Sequence, residues 1–409
     1  MKVAIIGTGG REHALAVKSL QSSMVDEVHV IPGNTGMEIT PQLFTFTEWD
    51  GTFPALEHYM QSMGIGLAII GNESYLESGI VDYFKESTIQ VFGPTQEAAQ
   101  LETSKDFAKQ FMQRHTIPSA AYKTCTHYTE AWAWMEEQAG TLVIKQDGLA
   151  FGKGVLVTED RIEADLFVQD SFAVTNKVIF EEFLEGKEFS LLAFVNQNQY
   201  NLMIPARDYK RAFDHDAGLN TGGMGAYTPV EYVTQDDLHT VEKEIVIPTI
   251  KGLIQEGIEF CGIIYFGLIK TQQGVKVIEY NTRFGDPETE VLLEAMESDL
   301  IEAILATMEK RPYQLKWKKG AAIGVCLASE GYPGAYKKGV PIRLTEQESW
   351  YSMAVQKQGE QFLSNGGRVL IVVASGETIK EARSSCYAQI QNIACKGLYY
   401  RSDIGLVPD

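Results

Sequence analysis

Four short apolar runs, Val3–Ile6, Val28–Ile31, Leu67–Ile70 and Gln90–Phe92, are spread through the first hundred residues with helical stretches between them. Apolar runs of this length, bounded by turn residues, read as strands, and strands that alternate with helices imply a parallel α/β sheet. The first run passes directly into Gly7-Thr-Gly-Gly-Arg-Glu-His13 and then a helix over Glu12–Ser22. A polar glycine turn this close to Met1 is expected of a first strand and not of a secretory leader. Gly93-Pro94 closes the unit.

Beyond it the pattern changes. A helix is expected over Glu97–His115, and Thr141–Lys145, the turn Gly148–Gly154, Lys177–Phe180 and Phe189–Asn196 suggest a small α+β unit. A polar glycine loop follows at Asn220–Tyr227, then a long helix over Gln235–Glu256 and strands at Ile263–Thr271 and Val275–Tyr280. A helix over Thr289–Lys310, strands at Ala322–Ala328 and Arg368–Ala374, and a helix over Thr378–Asn392 complete the chain. A length of 409 residues requires several separate cores. The expected division is 1–102, 103–190, 191–320 and 321–409, an α/β and α+β multidomain protein.

Hydrophobic content of 44% and charged content of 22% are those of a water-soluble protein, and no apolar run nears the roughly 18 residues of a membrane span. The five cysteines form no Cys-x-x-Cys pair, as expected of buried thiols in a reducing cytoplasm. Asn72-Glu-Ser74 matches a glycosylation acceptor, read as chance. A formal charge of −19 argues against a nucleic-acid surface, so any phosphate ligand must meet a local cluster of cations. Basic residues beside glycines therefore stand out.

The sharpest such place is Glu279-Tyr-Asn-Thr-Arg-Phe-Gly-Asp-Pro-Glu288, which follows the strand-like Gly274–Ile278. Alternate residues of a strand share a face, so Glu279, Asn281 and Arg283 are expected in one row. A carboxylate and an amide oxygen suit Mg²⁺ with phosphate oxygens, and a planar guanidinium suits a carboxylate or phosphate. A solvated strand end with an ordinary Glu–Arg pair is the alternative.

Other segments carry related chemistry. The glycines of Gly7–Gly10 would let backbone N–H groups meet one phosphate at a helix N-terminus, with Pro32-Gly-Asn34 facing them. The second strand ends without the acidic residue that a dinucleotide fold uses for ribose. In Lys145-Gln-Asp-Gly-Leu-Ala-Phe-Gly-Lys-Gly154 a lysine at the end of an apolar run is followed by three glycines and Lys153. The spacing fits neither a Walker A loop nor a kinase glycine loop, but the parts are those of a flap over a triphosphate. Phe180–Glu188 could offer backbone groups to adenine and Glu188 to ribose hydroxyls. Arg207–Asp216 with Asn220–Tyr227 places a cationic pair beside a glycine loop, suited to charge on a transferred phosphoryl group. Tight turns, a flexible hairpin and a solvated acidic loop are the bland alternatives to these readings.

In this order and spacing the motifs closely resemble the glycinamide ribonucleotide synthetase (phosphoribosylamine–glycine ligase) family. The resemblance runs through Gly7–Leu15, Pro32–Asn34, Phe92–Pro94, Ser104-Lys105, Lys145–Val155, Glu181–Ser190, Asp208–Tyr227, Glu279–Glu288, Gly331–Pro333, Gly366–Arg368 and Tyr399–Gly405. It implies an ATP-grasp fold with an N-terminal Rossmann-like (pre-ATP-grasp) domain that binds phosphoribosylamine and a C-terminal β-rich domain. It also implies a cytoplasmic ligase of purine biosynthesis, in which ATP activates glycine as glycyl phosphate and 5-phosphoribosylamine displaces the phosphate. No protein nucleophile is needed, in keeping with the lack of a Ser-His-Asp or Cys-His arrangement.

Carried across by position, Lys105, Lys145, Gly148, Gly152, Lys153, Gly154, Glu181, Glu182, Leu184 and Glu188 would hold ATP. Glu279 and Asn281 would hold Mg²⁺ or Mn²⁺. Gly9, Gly10, Asn34, Asp214, Gly223, Gly225 and Arg283 would hold the other substrates, and Arg283, Lys153 and Asp286 would act in the chemistry. The expected partners are small molecules alone, with no nucleic acid or membrane, on a monomer or weak dimer. The chain departs from the family at Asn72, Thr103, Phe151 and Tyr209, and looks shorter between Val157 and Val178; Phe151 bears on the flap and Tyr209 on the phosphoribosylamine contacts. Biotin carboxylases share Glu-x-Asn-Thr-Arg but differ after the arginine. An NAD-dependent oxidoreductase would leave the Lys145 segment unused.

Overall fold

The computed structural model describes residues 1–150, 154–344, 349–393 and 396–406. Its first unit contains β1 (Lys2–Gly7), α1 (Gly10–Ser19), β2 (Glu27–Pro32), β3 (Leu43–Thr45), α2 (Phe53–Met63), β4 (Ile65–Ile70), α3 (Glu73–Glu77), α4 (Ile80–Tyr83) and β5 (Gln90–Phe92). The strands form one parallel sheet in the order β3-β2-β1-β4-β5. Val3, Ile5, Val28 and Val30 are buried on one face, and Ala4, Ile6, Ile31 and Ala68 on the other. Burial on both faces explains why these strands read as unbroken apolar runs.

The helix expected over Glu97–His115 is two helices, α5 (Gln96–Thr103) and α6 (Lys105–Arg114). Ser104 leaves the helical region (φ −132°, ψ 112°), and its Oγ accepts the Phe107 N–H at 3.1 Å. A serine N-cap in mid-pattern starts a new helix although the apolar spacing continues. Lys105 thereby becomes the first residue of α6.

Next come β6 (Tyr122–Cys125), α7 (Tyr128–Glu137), β7 (Leu142–Gln146), β8 (Val155–Thr158), α8 (Arg161–Val174) and β9 (Val178–Glu181). They form an antiparallel sheet, β6-β9-β7-β8, whose core includes Ala131, Met135, Ile144, Val168 and Phe180.

The following stretch holds β10 (Lys187–Asn196), β11 (Gln199–Leu202), β12 (Arg207–Asp208), β13 (Arg211–Phe213), β14 (Ala217–Asn220) and β15 (Gly225–Thr228). The expected long helix is α9 (Gln235–Val241), continued through a π-helical turn over Glu242–Val246 into α10 (Ile247–Gln255). Then come β16 (Cys261–Thr271), β17 (Gly274–Asn281), α11 (Glu288–Ala295) and α12 (Leu300–Met308). Strands β11-β10-β16-β17 make an antiparallel sheet, with Leu191, Phe266 and Val277 in the core shared with α6 and α10, and Leu192, Phe194 and Ile263 in the core shared with α12. The single helix expected over Thr289–Lys310 is interrupted, because Met296 is extended and Asp299 caps the N–H groups of Ile301 and Glu302.

The last elements are β18 (Ala321–Ser329), β19 (Pro341–Ile342), β20 (Trp350–Ser352), β21 (Val355–Gln358), β22 (Gln361–Ser364), β23 (Arg368–Gly376), α13 (Ile379–Ile393) and β24 (Leu398–Tyr399). The sheet β12-β15-β18-β23-β20, with β24 beside β18, takes two strands from before residue 320. The glycine loop that joins β14 to β15 is thus anchored on the C-terminal sheet. Among the described residues no helix is long and apolar enough to cross a membrane.

Candidate active site

The units meet around a cavity of about 850 Å³. Its decisive wall is the end of β17, where the strand pairing slips: Val277 faces Leu268, but Glu279 faces Gly267, leaving Ile278 as a bulge. Val275 and Val277 are buried, and after the bulge it is Tyr280 that is buried while Glu279 and Asn281 line the cavity. Without the extra residue Glu279 would share the face of the core valines; the bulge turns it outward. Gly267 permits this, since a Cβ there would stand 3.0 Å from Glu279 Cγ. The strand ends at Asn281, so Arg283 does not extend the row as expected. It turns back, and its Nη2 donates to Asn281 Oδ1 at 3.2 Å.

Two lysines enter the cavity, Lys145 from β7 and Lys105 from the start of α6. Lys145 Nζ lies 2.9 Å from Glu181 Oε1 and donates to the carbonyl of the bulged Ile278 at 3.1 Å. Lys105 Nζ donates to Gly148 O at 2.8 Å, and the Asp106 N–H donates to Asp147 Oδ1, so α6 is tied to the base of the flap. Burial lowers the pKa of Lys105, partly offset by Glu279. Glu181 also meets the buried Lys109 at 3.1 Å, and burial brings that ammonium down to about 8. The Glu181 carboxylate is therefore committed to two lysines.

On the opposite wall Lys210 Nζ lies 3.0 Å from Glu188 Oε2 and 3.8 Å from Glu279 Oε1. Burial would raise the pKa of Glu279, but Lys210, Lys145, Lys105 and Arg283 outweigh it and hold the group below its ordinary value. Asp208 is pushed up to about 7 by burial, against Lys210 and with the help of Glu288, Glu188 and Glu279. Glu288 Oε1 accepts from Tyr265 Oη at 2.8 Å and Ser190 Oγ at 3.0 Å. Among the described residues no group of three or more His, Cys, Asp or Glu side chains is arranged to hold a metal. Glu279 and Asn281 still offer two hard oxygen donors on one strand end, which fits a cation that takes its other ligands from phosphate and water.

The end of the cavity toward the first unit is built on arginines. Arg283 meets Glu102 Oε1 at 2.8 Å and Glu73 Oε2 at 3.2 Å, and donates to Phe284 O. Burial alone would lower its pKa, but Glu102 and Glu73 raise it further above its ordinary value. Arg11 pairs with Glu12 at 2.6 Å and donates to Phe284 O at 3.0 Å. Arg368 holds Asp286 at 2.6 Å and donates to the carbonyls of Gly222 and Gly223, binding the glycine loop to the decapeptide.

Most of the expected residues converge here. Lys105, Lys145, Gly148, Gly154, Glu181, Glu182, Leu184, Glu188, Glu279, Asn281, Arg283, Asp286 and Gly9 line the cavity. Gly152, Lys153 and Phe151 lie outside the described residues. Five expected residues, Gly10, Asn34, Asp214, Gly223 and Gly225, do not line the cavity. Gly10 is buried beneath Glu290 and Met353. Asn34 accepts from Ser352 Oγ and donates to Thr8 O, holding two loops together. Asp214 accepts from Ser402 and lies off the cavity, whereas Asp216 lines it. Gly223 makes room for Pro287, and Gly225 for the Gly324 carbonyl across the sheet. The open cradle expected at Gly7–Gly10 is also partly filled, since Glu12 Oε2 accepts the Gly9 N–H at 2.6 Å.

Tyr209 turns away from the cavity into the C-terminal sheet, between Arg207 and Arg401, and accepts from the Gly405 N–H. Asn72 caps α3. Arg11, Glu73, Glu102 and Arg368 had no role in the reading of the sequence, and Lys210 appeared there only within a basic pair. Three of them, Arg11, Lys210 and Arg368, fall within the family-like segments Gly7–Leu15, Asp208–Tyr227 and Gly366–Arg368.

Residues 1–102 match the N domain of phosphoribosylglycinamide synthetase, residues 103–289 its ATP-grasp (A) domain, and residues 322–407 its C domain. The phosphoribosylamine–glycine ligase of Halalkalibacterium halodurans is 43% identical over 415 residues, covering 99% of this chain and 96% of the relative. The chain belongs to the phosphoribosylglycinamide synthetase family. The ligase of Streptococcus suis is also 43% identical, covering 99% of both chains. A crystal structure of the Thermotoga maritima ligase matches this synthetase fold with a TM-score of 0.86 at 33% identity, covering 98% of this chain and 100% of that one. Biotin carboxylase of Campylobacter jejuni, at 14% identity and a TM-score of 0.74, shares the fold, covering 99% of this chain and 94% of its own. The architecture is accordingly multidomain α/β with a central ATP-grasp domain.

Proposed function

We infer that this chain is an ATP-dependent phosphoribosylamine–glycine ligase of purine biosynthesis. The observation that carries the reading is one cavity in which Lys105 and Lys145, the donors Glu279 and Asn281, and Arg283 come together. Cations for a triphosphate, oxygen ligands for a metal and a fixed guanidinium for a carboxylate are the parts that acyl-phosphate chemistry requires.

In this reading adenine lies against the Glu182–Leu184 backbone and Glu188 accepts from the ribose hydroxyls. Lys105, Lys145 and, from the flap sequence, Lys153 meet the phosphates, with Gly148, Gly152 and Gly154 giving the flap its backbone donors. Glu279 and Asn281 hold Mg²⁺ or Mn²⁺, which supplies positive charge at the transferring phosphate when bound. Arg283 orients the glycine carboxylate, whose oxygen attacks the γ-phosphorus while the bond to the bridging oxygen of ADP breaks. The amine of phosphoribosylamine, bound toward Gly9, then attacks the acyl carbon, and inorganic phosphate leaves. Asp286 faces Gly9 (a Cβ there would stand 3.2 Å from its Oδ2) and takes up the amine proton.

The division at residues 102, 190 and 320, a cytoplasmic setting, small-molecule partners alone and a monomer or weak dimer belong to the same proposal. A coupled assay tests the activity. ADP formation should require both glycine and phosphoribosylamine, and ADP formation independent of glycine would overturn the reading.

A further inference from the structure

Resting on the ligase reading, we propose that Lys210 is a catalytic cation held in reserve. In the free enzyme its ammonium is the counter-ion of the carboxylates for metal and ribose, and with nucleotide bound it moves to the phosphoryl group in transfer.

The backbone and side chain of this residue are constrained very differently. Its carbonyl accepts from both the N–H and the Oγ of Thr221, at 2.7 and 2.9 Å, which locks the backbone to the glycine loop. Its flexible four-carbon stem points into the cavity, where Nζ bridges Glu188 at 3.0 Å and Glu279 at 3.8 Å. Two other cavity lysines are fixed otherwise, Lys105 on the Gly148 carbonyl and Lys145 on Glu181 and the Ile278 carbonyl. Lys210 alone among these three is paired with the two side chains that the ligase reading gives to ribose and metal.

Once Glu188 turns to ribose hydroxyls and Glu279 to the metal, Lys210 loses both partners. An ammonium partly shielded from water needs an anion, and the new anion in reach is the phosphate chain. In the transfer step the glycine carboxylate oxygen bonds to the γ-phosphorus, and the bond to the bridging oxygen breaks with its electron pair leaving on ADP. Lys210 keeps its proton throughout and donates a hydrogen bond to an equatorial phosphoryl oxygen, where charge accumulates.

The pairing makes two readouts move in opposite directions. Lys210→Met removes the ammonium 3.8 Å from Glu279, the strongest of the cations bearing on it, so Mn²⁺ titrated into the free enzyme without nucleotide, followed by electron paramagnetic resonance, should bind at least about tenfold tighter. Glycine-dependent ADP formation by the same variant should fall at least about 100-fold at saturating substrates. Lys210→Arg should restore Mn²⁺ affinity to near wild type and recover part of the turnover. Mn²⁺ affinity unchanged or weaker in Lys210→Met, or turnover within about threefold of wild type, would overturn the proposal. If Lys210→Met shows no cooperative thermal unfolding, Glu188→Gln replaces it. Lys210 then belongs to Glu279 alone, so Mn²⁺ should bind more weakly, and an unchanged affinity overturns the idea. Wild-type enzyme without glycine-dependent ADP formation would instead remove the ligase reading, a separate outcome.

Discussion

The two ends of the cavity hold charge in different ways. At the end proposed for the nucleotide the cations Lys105, Lys145 and Lys210 are lysines, each with one or two partners within reach, and the partners of Lys210, Glu188 and Glu279, are groups that the proposed ligands also need. At the end toward the first unit they are arginines, with Arg283 bonded to Glu73, Glu102, Asn281 and its own chain, and Arg368 to Asp286 and the glycine loop. An ammonium is a compact point charge on a flexible stem, whereas a guanidinium forks to several acceptors at once. On the proposed reading Lys210 can exchange its internal partners for a nucleotide. The arginine end is set before any substrate arrives, as orienting a small carboxylate demands.

The largest expected effect breaks the lysine end at its shared acceptor. Glu279→Gln removes the carboxylate on which Lys210, Lys145, Lys105 and Arg283 all bear. Turnover should fall by at least about 100-fold even at saturating Mg²⁺, and near-normal steady-state rates would refute the assignment.

The arginine end should show a different signature. Arg283→Lys keeps the charge but cannot span Glu73, Glu102 and Asn281 together. We expect kcat/KM for glycine to drop by about 10- to 100-fold with the KM for ATP little changed. A defect confined to ATP would place Arg283 on the nucleotide instead.

The smallest effect concerns a carboxyl beside the arginine end. Glu290 is fully buried with neither oxygen hydrogen-bonded, and burial, reinforced by Asp286, raises its pKa well above 4.5. The unfolded chain releases this proton near pH 4.5 while the folded chain keeps it, so the group costs stability as pH rises from there toward its folded pKa. Glu290→Gln cannot titrate. The difference in thermal midpoint between variant and wild type should therefore shift in favour of the variant from pH 4 to pH 8. A difference independent of pH would mean that Glu290 ionises normally.

These contrasts also mark what the sequence could and could not disclose. Strand–turn–helix alternation in the first unit was legible because parallel strands buried on both faces are apolar without interruption. The shared placement of Glu279 and Asn281 on the cavity wall was legible because both fall on one strand end, although the bulge at Ile278 that turns Glu279 outward leaves no mark in the residue pattern. The helix breaks at Ser104 and at Met296–Asp299 were missed because apolar spacing continues across them and only the cap reveals the restart. The ion partners of Arg283 were beyond reach, Glu73 being 210 residues away in the chain. Lys210 was overlooked for a related reason, since a basic pair beside a glycine loop does not announce which of its members faces Glu188 and Glu279. Tyr209, read as a change in substrate contacts, instead anchors the C-terminal strands, because alternation along this segment sends it to the opposite side from Asp208 and Lys210.

The central claim is that the cavity activates glycine as an acyl phosphate. It is tested most directly by supplying glycine with both carboxylate oxygens labelled with ¹⁸O and examining the inorganic phosphate formed with ATP and phosphoribosylamine. Attack of the carboxylate on the γ-phosphorus followed by displacement at the acyl carbon predicts one ¹⁸O in each phosphate released. Unlabelled phosphate from a competent turnover would contradict the account.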